Sequence, residues 1–346
     1  MLKDIRYEKN NNLKVSIIIP CRNEEKYISK CLDSLLDNNY PKNLIEIIII
    51  DGMSEDNTKE IIKKYIKKYP FIKLLNNSKK IVSTALNIGI KKAIGDIIIR
   101  IDVHSTYTPN YIKRLVLWSK KSKADNVGGT CITMPGAETA IARAIAVILS
   151  HPFGVGNGLF RIGIKEPKYV DTVPFGAYRR EVFNKIGLFN ERLIRNQDLE
   201  FNLRLKKAGG KILLVPEIVS YYYARADLKG LFKQNFWNGF WVIYSIKFTK
   251  TPFSLRHLVP FFFVMSFCGS LVLLFIYRLF IYLFVLVLIS YLISNIFFSI
   301  KISFQRGFKY LIPVILSFTI LHFSYGFGST GGLIKLLWEW IRKNIL

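Results

Sequence analysis

The sequence predicts an α/β protein built on a doubly wound, mostly parallel sheet, followed by a C-terminal transmembrane helical region. Two observations carry the first part. Short runs of β-branched residues, apolar at nearly every position, recur as VSIIIP at 15–20, IEIIIID at 45–51, FIKLL at 71–75 and DIIIRID at 96–102. Segments of helical period separate them, and strands that are apolar on both faces must be covered on both faces, as parallel strands are. A third observation concerns composition. From Thr251 onward Glu339 is the only acidic residue and three long uncharged runs appear.

The elements follow in order. The strand ending at Pro20 leads into a helical pattern from Glu24 to Leu36, and the strand ending at Asp51 into a helix from about Asn57 to Tyr69. Further helices are expected near 82–93 and 109–120. TAIARAIAVILS, at 139–150, is too short to cross a bilayer and reads as a core helix or as a membrane-facing wall of a cleft. His151 reads as a structural or turn residue. GLFKQNFWNGFWVIYSIKFTK, at 230–250, mixes Trp and Phe with Lys and reads as an interfacial amphipathic helix.

The three uncharged runs are Leu258 to Tyr277, Leu279 to Ile300 and Tyr310 to Ile334, each near the roughly 20 residues that span a bilayer core. Arg278 alone separates the first two, which implies a tight hairpin. Lys301, Arg306 and Lys309 place the next loop on the cytoplasmic side. His322 and the YGFGSTGG stretch at 325–332 interrupt the third run, so a re-entrant segment is the alternative to a third span. The expected division is therefore 1–229 for a cytoplasmic α/β domain, 230–257 for the amphipathic segment and 258–346 for the membrane region.

Hydrophobic residues make up 51% of the 346-residue chain, high for a purely soluble protein. The formal net charge is +26; eight bases and one acid beyond residue 250 leave +19 on the rest. The lysines lie on helix faces, as in KEIIKKYIKKYP at 59–70, without a basic-aromatic groove. Attraction to an anionic leaflet is expected, and nucleic acid is not. MLKDIRYEKNNNLK lacks the apolar core of a signal peptide, and Cys21, Cys31, Cys131 and Cys268 show no CxxC spacing, which fits a reducing compartment.

Ligands of such sheets bind beyond the carboxyl ends of the strands. Cys21-Arg22-Asn23-Glu24, Asp51-Gly52 and Asp102-Val103-His104 follow three of them. No GxGxxG follows the first strand and no GxxxxGK[ST] occurs anywhere, which removes the usual support for dinucleotide or P-loop chemistry. Asp102 and His104 stand two apart, so on a strand they would share a face and together hold Mg²⁺ or Mn²⁺; a helix cap or a hydrogen-bonded strand end is the other reading. In DGMSEDNT, Asp56 suits an N-cap, whereas Asp51 has no capping duty and is the better ligand.

VSIIIPCRNEE, IIIIDGMSEDNT, STALNIGIKKAIGDIIIRIDVHS, GAYRREVFNKIGLFNE and NQDLEFNLRLKKAGGKI, in that order, resemble the motif set of family 2 glycosyltransferases with a GT-A fold. More narrowly they resemble the membrane-bound succinoglycan-type glucosyltransferases of exopolysaccharide assembly. The resemblance covers residues 15 to about 240, and the tail around His322 is similar to that subgroup's. It implies that Pro20, Arg22, Asn23, Glu24, Asp51, Asn87 and Asp102 bind the donor nucleotide. Asp102 and His104 take the DxD metal position, with His in place of the second Asp. Asp198 takes the general base's place, with Gln197 where the family usually has Glu; on residue type alone Asp198 also suits a carboxylate at a helix N-terminus. Glu200, about 200° further round the helix, does not share its task. Gln234 to Trp241 sits where relatives carry a Q-x-x-R-W-like acceptor or diphosphate contact, Gln234 and Trp237 being the matching positions, with Arg absent.

The chemistry implied is displacement of a nucleoside diphosphate by an acceptor hydroxyl that loses its proton to a carboxylate. One base without a second nucleophile implies inversion. The expected partners are a UDP-sugar, a lipid-linked saccharide, membrane lipids and other glycan-assembly enzymes. Three spans are few for a polymer-secreting channel, which favours addition of a single sugar. Transfer directly to a polyprenyl phosphate, and a non-catalytic nucleotide-sugar sensor, are the alternatives.

Overall fold

Four runs of branched apolar side chains begin the sheet. In the computed structural model, which describes residues 13–249 and 257–344, they form β1 (Val15–Cys21), β2 (Ile45–Asp51), β3 (Ile72–Asn76) and β4 (Ile97–Arg100). The opening MLKDIRYEKNNN and the 250–256 end of the amphipathic segment lie outside the described residues. The intervening helices are α1 (Ile28–Leu36), α2 (Thr58–Lys68) and α3 (Val82–Lys92). β5 (Ser105–Tyr107), α4 (Tyr111–Ser122) and β6 (Asn126–Met134) follow, then α5 (Ala140–Ile148), α6 (Pro152–Val155) and α7 (Leu159–Ile162). The chain continues through β7 (Lys168–Tyr169), β8 (Ala177–Arg179), α8 (Arg180–Ile186), α9 (Gln197–Lys207) and β9 (Ile212–Tyr223). Helices complete it: α10 (Leu228–Tyr244), α11 (Ile246–Thr249), α12 (Val259–Leu274), α13 (Phe280–Arg306) and α14 (Leu311–Asn344).

Two compact units are interleaved along the chain. The first comprises Met1–Gly129, Lys168–Phe189 and Leu205–Ile218, the second Thr130–Pro167, Asn190–Arg204 and Val219–Leu346. In the first, β3, β2, β1 and β4 run parallel, with Val15 opposite both Ile45 and Ile97. Ile17, Ile19, Ile47 and Ile49 are fully buried, each such side chain contributing about 1.5–3 kcal/mol of apolar transfer. Beyond β4 the sheet ceases to be parallel: β8 pairs antiparallel with both β4 and β6, and the strand order is β3-β2-β1-β4-β8-β6-β9-β5. The expectation of a mostly parallel sheet therefore holds for its first half only, and the whole is mixed.

In the second unit the expected first span is shorter than its apolar run. α12 stops at Leu274, and 16 residues at about 1.5 Å each fall short of a bilayer core of about 30 Å. Among the described residues two helices are long and apolar enough to cross a membrane, Phe280–Arg306 and the continuous segment Phe308–Asn344. The third run is not interrupted: α14 passes through His322 and the glycines without a break. The glycines face α10 instead. A Cβ on Gly239 would lie 2.0 Å from the Tyr325 carbonyl oxygen, one on Gly328 1.9 Å from that of Phe236, and one on Gly332 2.5 Å from that of Phe240. The stretch YGFGSTGG is thus a seam of close backbone approach, the use small residues have in apolar helix pairs. The amphipathic segment accordingly does not lie free: Leu231, Val242 and Ile243 of α10 are buried while Phe232 and Trp237 stay exposed.

His322 has a structural partner on each side of its ring. Its Nε2 donates to the Phe153 carbonyl at 2.8 Å, and the Tyr291 hydroxyl lies 3.3 Å from Nδ1. His151 caps α6, its Nδ1 accepting from the Phe153 N–H at 3.1 Å, which is the turn role its sequence context implies.

Candidate active site

Register brings three strand ends of the first unit to one edge. Cys21 stands opposite Asp51, and the Ile101 N–H, just past β4, donates to Ile18 of β1 at 2.9 Å. The loops after β1 and β2 then knit together. The Asn23 N–H donates to Ser54 Oγ, the Glu55 N–H to Asn23 Oδ1, both at 2.9 Å, and the Glu24 N–H to Thr58 Oγ1 at 2.7 Å. Asp56 accepts from the Thr58 and Glu25 N–H groups, one residue before the N-cap, which is Asn57 and not Asp56 as expected, because Asp56 is drawn into the link between the two loops. Asn23 and Met53 adopt left-handed backbone, at φ 54° and 59°, where the two loops turn toward each other. This interlock uses Asn23 through Thr58 and explains why α1 begins at Ile28 instead of Glu24.

Asp51 sits under the interlock, fully buried. Its Oδ2 accepts from the Ser54 N–H at 3.0 Å and lies 3.3 Å from Lys59 Nζ. Its Oδ1 has no hydrogen-bond partner among the described residues, and neither has Oδ1 of Asn77, whose N–H donates to the Asp51 carbonyl at 2.8 Å. Two buried acceptors at the ends of neighbouring strands are costly unless donors reach them. Asn77 was not among the expected residues, although the rule that selected Asp51, first polar group past a strand, also selects the Asn76-Asn77 pair that ends β3.

The other expected residues are placed as follows. Pro20 is in β1 opposite Ile50, and Arg22 reaches Glu55 at 3.8 Å from an exposed position. Asn87 is a clamp: its amide donates to the Phe189 carbonyl and accepts from the Phe189 N–H, each at 2.9 Å. Asp102 and His104 lie in the turn between β4 and β5, not on a strand, so strand alternation does not align them. Asp102 Oδ1 accepts from the His104 N–H at 2.9 Å, while the imidazole Nε2 lies 2.7 Å from Glu24 Oε2 and its ring stands 4.5 Å from that of Tyr27. Among the described residues no three His, Cys, Asp or Glu side chains converge on a cation position. What Asp102 and Glu24 leave available is hard carboxylate oxygen, a donor set that fits Mg²⁺ or Mn²⁺ arriving with phosphates rather than an all-protein cage. Burial, with Asp51 and Glu24 nearby, pushes the Cys21 thiol up, so it is no thiolate nucleophile.

In the second unit Asp198 is the second residue of α9, and its Oδ1 accepts from the Leu199 N–H at 3.0 Å. Glu200 is committed to Arg204 through two contacts of 2.8 and 2.9 Å. The start of α9 is tied to α10: Arg195 Nη1 donates to Asn238 Oδ1 and Asn196 Nδ2 to the Asn238 carbonyl, both at 3.2 Å. Gln234 Nε2 donates to the Tyr222 hydroxyl at 3.2 Å, and Trp237 packs edge-on against Phe236 and Phe240.

A mixed, curled sheet whose strand edge gathers Asp51, Glu24 and Asp102 defines a GT-A-like glycosyltransferase domain. The chain belongs to glycosyl transferase family 2, whose family model matches residues 16–187. Among its relatives is the dolichyl N-acetyl-alpha-D-glucosaminyl phosphate 3-beta-D-2,3-diacetamido-2,3-dideoxy-beta-D-glucuronosyltransferase of Methanococcus voltae, 34% identical over 93% of this chain and 97% of the relative. The succinoglycan biosynthesis protein ExoA of Rhizobium meliloti is 33% identical over 64% of this chain and 67% of its own. The mannosyltransferase PcManGT of Pyrobaculum calidifontis, solved with GDP-Man and Mn²⁺, superposes with a TM-score of 0.59 at 14% identity, covering 94% of this chain and 88% of that one.

Proposed function

We propose that the chain transfers a hexose from a UDP-sugar to a lipid-linked saccharide at the cytoplasmic face of a membrane, with inversion, in assembly of an extracellular polysaccharide or glycan. The observation that carries this reading is the pair of buried, unpartnered acceptors Asp51 Oδ1 and Asn77 Oδ1 at the strand edge. They suit ring N–H and ribose hydroxyl donors of a nucleoside. The relative from Methanococcus voltae acts, by its name, on a dolichyl phosphate-linked sugar, which supports the acceptor class. It also favours a lipid-linked saccharide over a bare polyprenyl phosphate.

In this reading Pro20, Arg22, Asn23 and Glu24 form the nucleotide-side wall, and Asn87 acts behind it by fixing the Phe189 backbone. Asp102, with His104 released from Glu24, would hold Mg²⁺ or Mn²⁺, which supplies charge stabilisation to the departing diphosphate. Asp198 takes the acceptor hydroxyl's proton, and with no second carboxylate nucleophile assigned an α-linked donor yields a β-linkage. Residues 1–229 stand on the cytoplasmic side, 230–257 at the interface and 258–346 in and beside the bilayer.

Membranes containing the chain, incubated with radiolabelled UDP-hexoses and lipid extract, are expected to give a lipid-linked oligosaccharide extended by one sugar. Asp198→Asn is expected to lower that rate by about 100-fold or more. UDP binding without turnover would leave a sensor and defeat the proposal. UDP affinity measured by calorimetry is expected to rise with Mn²⁺ in the parent and not in Asp102→Ala; equal affinities with and without Mn²⁺ in the parent defeat the metal assignment.

A further inference from the structure

Three arginines of the second unit, Arg161, Arg195 and Arg225, are linked through Tyr222 and through one another and have no carboxylate partner among the described residues. Arg161, on α7, donates from Nη1 to Thr133 Oγ1 at 3.0 Å and sets its guanidinium 5.1 Å from the centre of the Tyr222 ring. Arg195 enters the same neighbourhood from the loop before α9. Its charge is disfavoured by burial first and by Arg225 second, and Tyr222 acts on it as well. Arg225 is exposed, beside the first turn of α10, where a Cβ on Gly230 would lie 3.2 Å from its own Cβ. Three carboxylates of the same unit are engaged with other groups: Asp227 caps α10 through the Gly230 N–H at 2.7 Å, Glu200 holds Arg204, and Glu138 holds Arg143. None of the three arginines forms an ion pair among the described residues.

Like charges gathered around a buried phenol repel one another, and removing a guanidinium from water without an anion is unfavourable. Guanidinium forks match phosphate oxygens, and the Tyr222 hydroxyl and Gln234 amide add neutral hydrogen-bonding groups to the same patch. Gln234 and Asn238, which contact this cluster, lie on α10, and α10 is seamed by glycine to α14, one of the two membrane-length helices. An anion carried on a lipid therefore suits the patch better than one carried on a free nucleotide.

We infer that Arg161, Arg195 and Arg225, around Tyr222 and Gln234, bind the phosphate or diphosphate ester of the lipid-linked acceptor. This rests on the proposed transfer to a lipid-linked sugar and names the group by which that acceptor is recognised. The Q-x-x-R-W-like position lacks its arginine because here the cations come from three other segments of the unit. Arg195, one turn before Asp198 along the chain, then couples acceptor recognition to the start of α9.

The test uses the full chain in a nonionic detergent and calorimetry with farnesyl diphosphate, with farnesol as the same tail lacking phosphate and with UDP. Arg195→Gln and Arg225→Gln are each expected to weaken farnesyl diphosphate by about ten-fold or more while UDP stays within about two-fold. Arg225 is exposed and makes no hydrogen bond among the described residues, so its variant keeps the result readable if Arg195→Gln misfolds. Lys233→Gln removes one exposed charge from α10 and is expected to change neither affinity. An equal loss in Lys233→Gln, a parallel loss of UDP binding, or unchanged farnesyl diphosphate binding would each overturn the site; the parallel loss would assign the arginines to the donor. Binding is read without turnover, so a chain that transfers no sugar yet shows this pattern retains the site, and one that transfers sugar without it loses only the site.

Discussion

Asp51 and Glu46 lie on the same strand and show how a buried carboxylate is either left waiting or fully used. Asp51 keeps one oxygen without a partner among the described residues, so Asp51→Asn, which preserves shape but turns an acceptor into a donor at one of the two positions, is expected to weaken UDP binding by about 10- to 100-fold. Calorimetry with a matched melting curve checks this, and unaltered affinity would remove Asp51 from the nucleotide site. Glu46 is buried too, which raises its carboxyl, but the Ser16 hydroxyl, the Ile94 N–H and Lys73 outweigh burial and hold it below its ordinary value. A depressed folded value stabilises above the unfolded value of about 4.3 and is lost as pH falls through the folded one. The melting temperature of the parent should therefore drop more steeply from pH 5 toward pH 3 than that of Glu46→Gln; equal slopes would mean that Glu46 is not linked to folding. Asp51 was legible in the sequence because a carboxylate ends an apolar strand without a cap to make. The duty of Asn87 was not, because its amide is satisfied by backbone atoms of Phe189, and pairings at that separation leave no local pattern. His104 was read as Asp102's companion on a strand, while a turn that the apolar run does not announce gives it Glu24 instead.

At the scale of elements, periodicity located the helices and strands of the parallel half within a few residues, because each must bury a continuous apolar face. It failed where the cause was a partner far away. Glycines inside an apolar run read as a break, yet in α14 they let α10 approach at backbone distance. Gly328→Leu puts a side chain where 1.9 Å separates its first carbon from the Phe236 carbonyl oxygen, so either the helices part or the backbone shifts. The expected cost is about 2–4 kcal/mol, read as a lower melting temperature in detergent. Gly269→Leu, on α12, where an added Cβ meets nothing within 4 Å, should melt as the parent does. Equal melting of both variants would mean that the seam contributes nothing. The short helix α12 is the opposite case: its run is long in sequence, but Phe275 to Tyr277 are spent on a turn, which hydropathy does not register.

For the whole molecule, two attractions to a membrane are available, and they predict different behaviour. The net charge of +26 draws the chain to anionic lipid at about 1 kcal/mol per basic residue near the surface, a force that salt screens within about 10 Å. α13 offers another. Its most apolar window has a mean hydropathy of 2.4 and is only 11% buried, so it is no core helix, and Tyr282, Leu286, Ile293 and Phe304 expose most of their surface. Inserted Leu, Ile, Phe and Val each contribute roughly 0.3–0.6 kcal/mol at a helix centre, a sum that ionic strength does not diminish. If α13 and α14 cross the bilayer, the chain stays in the membrane pellet after washing with concentrated salt and after alkaline carbonate, and only detergent releases it. If charge alone holds it, concentrated salt releases it. Retention in salt with release in carbonate would leave α13 lying on the surface, and the spans proposed for 279–300 and 310–330 would fall while the family assignment stands.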